Sequence, residues 1–281
     1  MPAADLHTHS TASDGTTSPA DLVRSAAAAG LDVVALTDHD TTAGHDEALR
    51  ALPRGLGLVR GAEISCAAGG VSLHLLGYLF DPTEPELAAA LETLRASRTG
   101  RAERMARRLE ADGTGVTWER VQQLAQGTVG RPHLARAIVE QGLVASMDEA
   151  FSADWIGTGG RYWEPKVELD VVRGVELVVR AGGVAVFAHP AADARGETVA
   201  DDVVVAMAEA GLAGLEVDHV DHDEAARRRL RGLAAELGLL VTGSSDYHGE
   251  NKAVRLGEHT TPPEVVEALA DRATGAGLVR G

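Results

Sequence analysis

The chain has 281 residues, 44% apolar but only 3% aromatic, and a formal charge of −16. That is ample for one large core of Ala, Val and Leu, and it excludes a disordered chain. The acidic balance argues against a long duplex nucleic acid as partner, since such binding is driven by Lys and Arg displacing counterions.

Apolar runs predict strands at 3–7, 31–37, 56–64, 71–80, 184–188, 212–217 and 239–243, with a further short one at 254–258. The first helix is punctuated by Ser18 as N-cap, Pro19 at the first helical position, Asp21 in the first turn and Gly30 as the stop. Alternating β and α segments with apolar strands predict parallel strands flanked by helices, hence an α/β barrel whose chemistry sits at the C-terminal strand ends. Between about Glu84 and Val167 the alternation stops. Helical segments are predicted there at 87–110, 118–126, 131–141 and 147–150.

Residues 95–163 read as an α-helical insertion folded over the barrel mouth. It leaves after the strand carrying His74 and returns before the one carrying His189, which would put both stems beside one site and favour a lid. The alternative is a peripheral bundle that only stabilises the fold. The run Gly157-Thr158-Gly159-Gly160 lacks a preceding strand, so it reads as a mobile loop rather than a phosphate cradle. The single cysteine, Cys66, cannot form an internal disulfide and reads as a buried core thiol. No apolar run reaches the length of a membrane span and no charged leader precedes the first strand, so a cytoplasmic protein is expected.

Six of the eleven histidines, His7, His9, His39, His74, His189 and His248, lie with Asp14, Glu63 and Asp246 in short polar tips beside strand-like runs. Taken singly, each has an ordinary explanation as a core histidine or a turn residue. Together they predict a multinuclear metal site, because nine imidazole and carboxylate ligands exceed the four or so that one tetrahedral ion needs. Two to three divalent ions are expected, and imidazole with carboxylate suits Mn, Fe or Zn alike. Ions there would make a positive pocket in an acidic protein and draw in a small anion. His45, His222 and His259 lie in helical or polar contexts and read as solvated surface residues.

The series HTH, Asp14, TDHD, GxE, a following His, AHP and SDYHG resembles the polymerase and histidinol phosphatase (PHP) superfamily of metal-dependent phosphoesterases, over essentially the whole chain. The resemblance implies a distorted (β/α)7 TIM-like barrel with the insertion over its C-terminal strand ends. It implies one ion on His7, His9, Glu63 and Asp246, a second on Glu63, His74 and His189, and a third on Asp14, His39 and His248. Attack by a hydroxide shared between ions follows from that grouping, with Glu63, Asp246 and His189 at the chemistry. No group is identified as the acid for the leaving oxygen.

Within the superfamily the sequence is similar to a stand-alone bacterial branch, partly through Gly130-Arg131-Pro132-His133. Members of that branch act on nucleoside 3',5'-bisphosphates or the 5' ends of short RNA. Arg131, His133, Arg161, Lys166 and His219 are the candidate substrate contacts, although a solvated arginine would look the same in sequence. Asp218 stands where the branch implies an aromatic residue, which weakens any stacking contact there. Histidinol-phosphate phosphatase and cyclic-phosphate phosphodiesterase are alternatives, as is a non-catalytic metal-binding module; oligomeric state is left open.

Overall fold

Ser18 opens the first helix, α1 (Pro19–Ala28), its side chain accepting from the Asp21 N–H, and Gly30 follows in the left-handed region at φ 81°. A capping oxygen satisfies a donor the first turn cannot, and glycine enters left-handed space without a Cβ clash, so both ends are fixed locally. The computed structural model describes residues 3–193 and 196–281.

Seven strands make the barrel: β1 (Ala4–Asp5), β2 (Val33–Leu36), β3 (Gly57–Ala68), β4 (Val71–Tyr78), β6 (Val184–Phe187), β7 (Gly214–Asp218) and β8 (Leu240–Gly243), hydrogen-bonded in that order. Two short strands, β5 (Leu169–Asp170) and β9 (Val279–Arg280), add to β3. Between β8 and β1 the seam is closed by residues just past the strand ends. His9 N–H donates to the Tyr247 carbonyl at 2.8 Å, and Tyr247 N–H to that of His7 at 3.3 Å.

Side chains alternate across the strands as the pleat requires. Val33, Ala35, Val59, Leu76, Tyr78, Val184 and Val186 share the barrel interior. Val34 and Leu36 pack outward on Leu22, Val23 and Ala26 of α1. Ile64, Leu75, Ala185 and Phe187 pack on Val175 and Val178 of α7 (Val171–Arg180).

The expected all-parallel arrangement is broken at β4, which runs antiparallel to both β3 and β6. The cause is local: Gly69 and Gly70, at φ 56° and 88°, join β3 to β4 as a two-residue hairpin, leaving no helix to carry the chain back. Because of this reversal the chain leaves β4 at the N-terminal ends of the parallel strands, where Tyr78 pairs with Val184 and the Asp81 N–H donates to the Ala181 carbonyl.

The chain regains the other end through α3 (Pro85–Ala111), whose 27 residues span about 40 Å at 1.5 Å per residue. Its first half buries Leu87, Leu91 and Leu94 against the barrel helices. Its second half buries Ala102, Met105, Ala106 and Leu109 in a separate core with α4 (Trp118–Leu124), α5 (Arg131–Glu140) and α6 (Met147–Ala150).

Two further expectations are corrected. Residues 254–258 form a turn rather than a strand, with Gly257 at φ 72° and its N–H held by Asp5 Oδ2 at 2.9 Å. The Gly157–Gly160 run is a packed turn rather than a loose loop: a Cβ at Gly157 would lie 2.1 Å from the Phe151 carbonyl oxygen, so glycine is there for close backbone approach. Cys66 is buried, as expected, and burial pushes its thiol pKa well up.

A left-handed backbone costs an L-residue about 1–2 kcal/mol. Gly70→Ala should therefore lower the unfolding free energy by about that amount, read as a lower urea midpoint at unchanged m-value.

Candidate metal centre

The interior register of β2, β3 and β4 carries straight on from apolar to ligand-type residues. Ala35 leads to His39 four residues on, Val59 to Glu63, and, in the reversed β4, Leu76 back to His74. Glu63 is almost fully buried and is the point of convergence. Its Oε2 lies 2.9 Å from His39 Nδ1, 3.1 Å from His9 Nε2 and 3.3 Å from His7 Nε2. Its Oε1 lies 2.7 Å from His74 Nδ1 and 3.1 Å from His189 Nε2.

Asp246 Oδ1 is 3.5 Å from His7 Nε2, 3.4 Å from His9 Nε2 and 3.3 Å from His248 Nδ1. Asp14 meets His248 Nε2 at 3.5 Å, His39 Nε2 at 3.6 Å and His9 Nδ1 at 3.7 Å. All nine residues predicted from the sequence are thus brought to one cluster, buried except at half-buried His74. Ligand-type atoms come within reach of common points in three sets: His9, Asp14, His39 and His248; His7, His9 and Asp246; His39, Glu63 and His74.

The residues fit a cation. His39 Nδ1, His74 Nδ1 and Glu63 Oε2 are buried and crowded together, yet none makes a hydrogen bond. Lone pairs that converge without pairing are what a metal ion satisfies.

Charge inside the cluster follows the carboxylates. Burial disfavours the charged form of His7, but Glu216, Glu63 and Asp246 outweigh it and hold the ring well above the ordinary imidazole range. His9 is likewise raised to about 9 against its burial by Asp246, Glu63 and Asp14. Burial and the Arg98 guanidinium lower His39 to about 4. Protons on His7 and His9 therefore occupy the place of cations, and ions binding there would displace them.

The backbone is strained at the same spot. Of the four non-glycine residues with positive φ among the described residues, Asp40 (55°), His189 (32°) and Asp246 (55°) lie in or beside the cluster. Such conformations cost of order 1–3 kcal/mol each and persist where surrounding contacts impose them.

A model of the PHP domain matches residues 5–126. A 5'-3' exoribonuclease of Haemophilus influenzae is 36% identical over 256 residues, covering 91% of this chain and 93% of the relative. The chain belongs to the PHP-domain family. A 3',5'-nucleoside bisphosphate phosphatase of Chromobacterium violaceum is 33% identical over 259 residues, 91% of this chain and 90% of the relative. A solved Bifidobacterium adolescentis structure, assigned as a metal-dependent phosphoesterase, superposes with a TM-score of 0.91 at 37% identity, covering 96% of each chain. This PHP-domain protein is accordingly a metal-dependent phosphoesterase with a TIM-like barrel. None of its described helices is long and apolar enough to cross a membrane.

Around the PHP cluster stand groups that the sequence reading passed over. Glu216, fully buried on β7, takes His7 Nδ1 at 3.0 Å and the His189 N–H at 2.8 Å. Burial pushes its pKa up, but His7 and other imidazoles bring it down to about 2. A glutamate at an inward position of an otherwise apolar strand was the available signal. Asp38 accepts from the Ser10 N–H and from the Ser10 and Ser13 hydroxyls, bracing the loop that ends in Asp14. Arg98 of α3 donates from Nε to Asp40 Oδ2 at 3.0 Å and from a terminal nitrogen to Ser65 Oγ at 2.7 Å. Asp40 also accepts from the Ser65 N–H at 2.7 Å, so one buried carboxylate ties the insertion helix to the barrel mouth.

The candidate substrate contacts divide. His219 is fully buried, its Nε2 3.5 Å from Asp246 Oδ2 and without a hydrogen bond. Lys166 is buried on Glu168 at 2.8 Å. Arg131 starts α5 with its guanidinium 5.5 Å from the centre of the Phe151 ring, and His133 Nδ1 accepts from the Gly130 N–H, capping that helix. Arg161 is not brought to the cluster: it lies at the surface on Asp112 at 2.6 Å. Asp218, in the place of the implied aromatic, pairs with Arg231.

His45 and His222 are buried rather than solvated. His45 Nε2 meets the Gly61 carbonyl at 2.9 Å. His222 joins the Val217 carbonyl at 2.8 Å to the Ala191 N–H at 3.1 Å. Both tie loops to neighbouring backbone, and His259 is half-buried.

Removing one partner of a buried ion pair leaves the other uncompensated, typically costing about 3–5 kcal/mol. Asp40→Ala should destabilise the ion-free protein on that scale in urea denaturation.

Proposed function

We propose that this protein hydrolyses phosphate esters of small nucleotides, either a nucleoside 3',5'-bisphosphate or the 5' end of a short RNA, using two to three divalent ions, Mn, Fe or Zn. The convergence of six imidazoles and three carboxylates on buried Glu63 carries the reading. Its relatives named as bisphosphate phosphatase and exoribonuclease, which match nearly the whole chain, supply the substrate class. A non-catalytic metal-binding module is disfavoured because no ligand position is vacated. The lone buried Cys66 suits the cytoplasm.

One ion falls to His7, His9, Glu63 and Asp246, a second to Glu63, His74 and His189, and a third to Asp14, His39 and His248. The closeness of His9 to Asp14 and of His39 to Glu63 makes these two residues the links between groups. Ions held there supply an activated water and neutralise the charge that builds on a phosphoryl group. The chain's own residues do the rest: Glu216 orients His7, Asp38 fixes the Asp14 loop, and His219 presents Nε2 to the substrate. Residues 95–163 act as the lid that selects substrate, with Arg131, His133 and Lys166 facing the part that does not react.

Chelation should abolish phosphatase activity and Mn should restore it, with elemental analysis giving two to three ions per chain. Asp246→Ala and His9→Ala should remove turnover, whereas His259→Ala should leave it nearly unchanged. Full activity in a verified ion-free preparation would overturn the reading.

Arg131→Ala should lower kcat/KM for adenosine 3',5'-bisphosphate by a factor on the order of 10 to 1000, the range for one lost charge-assisted contact. The loss on p-nitrophenyl phosphate should be small, and equal loss on both would place Arg131 at the reacting group.

A further inference from the structure

Of the 26 lysines and arginines in this chain only two are lysine, Lys166 and Lys252. Arginine serves everywhere else, down to Arg98 and Arg101, which lie in the buried stripe of α3 between Leu94 and Met105. Both lysines sit at the barrel mouth. Lys166 pairs with Glu168 and feels Arg98 and Asp40, and Lys252 Nζ lies 2.5 Å from Asp246 Oδ2. A chain so poor in lysine that places both beside one cluster is using a property that arginine lacks.

At Lys252 the geometry shows which property. Asp246 divides its two oxygens: Oδ1 faces His7, His9 and His248, while Oδ2 faces Lys252 and His219 Nε2. An ammonium takes one oxygen and leaves the other to the imidazoles, whereas the planar fork of a guanidinium would engage both. The lysine is also held in place from the other side. Just before it, the Glu250 N–H donates to Thr16 Oγ1 and the Asn251 side chain donates to the Asp14 carbonyl, each at 2.8 Å. Asp246 accepts only one of the three donors of an ammonium. The lysine side chain is 31% exposed over a carboxylate that is 1% exposed, so its remaining donors are within reach of a molecule at the rim.

We propose that Lys252 is a catalytic residue of the hydrolysis, its ammonium contacting the leaving oxygen and neutralising the charge that grows there. The inference rests on the reading that the reacting phosphoryl group sits at the cluster. Displacement at phosphorus is in line, which sets the attacking and leaving oxygens on opposite sides. Water activated among the buried ligand-type atoms attacks from within, so the leaving oxygen faces outward, as the rest of a nucleotide must. Lys252 stands on that outward side, and a bond to the substrate costs it no existing partner. The attacking water releases one proton to solvent. The bond from phosphorus to the leaving group breaks with its electron pair on the leaving oxygen, which takes a proton back from water at the rim while the ammonium keeps its own.

The test compares phenyl phosphate with p-nitrophenyl phosphate as substrates of the Mn-loaded protein. The two are similar in size, but the nitro group spreads the leaving charge and leaves less of it for an ammonium to neutralise. Lys252→Met keeps an apolar stem and removes the charge. It should lower kcat by about 100-fold on phenyl phosphate, the scale of one lost donor at a developing oxyanion, and by about tenfold or less on p-nitrophenyl phosphate. Ion content by elemental analysis should match the wild type. If Lys252 merely braced Asp246, ion content would fall and both esters would lose equally, and that result would overturn the proposal.

A second measurement uses the unaltered chain and needs no turnover. Reductive methylation followed by peptide mass spectrometry reads Lys252 directly. Inorganic phosphate added to the Zn-loaded protein should slow methylation of Lys252 several-fold, because one phosphate oxygen stands where the leaving oxygen would. An unchanged rate would overturn the proposal even if Lys252→Met did not fold. Failure of the phosphatase reading would appear separately, as absent turnover of either ester by the Mn-loaded wild type, and the methylation rates would still decide the contact.

Discussion

Everything at the mouth of this barrel depends on placing Glu63, a carboxylate with almost no access to water, in contact with five imidazoles. A buried carboxylate is tolerable only when positive charge is brought to it. Its own pKa shows the balance: burial pushes it up, but His39, His74 and His7 hold it well below the usual carboxylate range. Protons or ions must supply that charge, and the three carboxylates of the cluster are spaced so that each is shared by three or more rings. Strained backbone at His189 and Asp246 is the local cost of aiming those groups inward.

The same logic of matched charge governs α3. One apolar stretch of the helix belongs to the barrel and the other to the helical insertion, with the arginines at the crossing. Asp40, reached by Arg98, adjoins His39, so the helix that carries the insertion is fastened one residue from the cluster. Displacement of the insertion and displacement of that imidazole are thereby linked through a single buried ion pair.

The cluster was legible in the sequence because metal chemistry restricts residue type severely: nine imidazoles and carboxylates beside apolar runs leave few other readings. Helices fared equally well where capping is local, as at Ser18, and the predicted segment at 147–150 matches α6 in full. The reversal of β4 escaped because alternation of segments was given more weight than the Gly69-Gly70 pair, which is itself a hairpin signal. His45 and His222 were misplaced since a polar neighbourhood in sequence says nothing of a carbonyl supplied from a distant strand. Arg98 and Arg101 were hidden by composition: in a helix with many arginines, only the register of the leucines distinguishes the two that point inward. Glu216 was missed for the converse reason, as a single charge inside a strand that otherwise reads as core.

The seam of the barrel joins residues from opposite ends of the chain. His7 and His9 are stitched to Tyr247, and Asp5 accepts from the Ser245 and Gly257 N–H groups at 3.0 and 2.9 Å. Closing a loop of some 240 residues costs chain entropy that no local contact repays. The segments it joins carry His7, His9, Asp246 and His248. The cluster is therefore assembled only when the two ends of the chain meet, and a nascent chain cannot complete it before residue 248 has been synthesised.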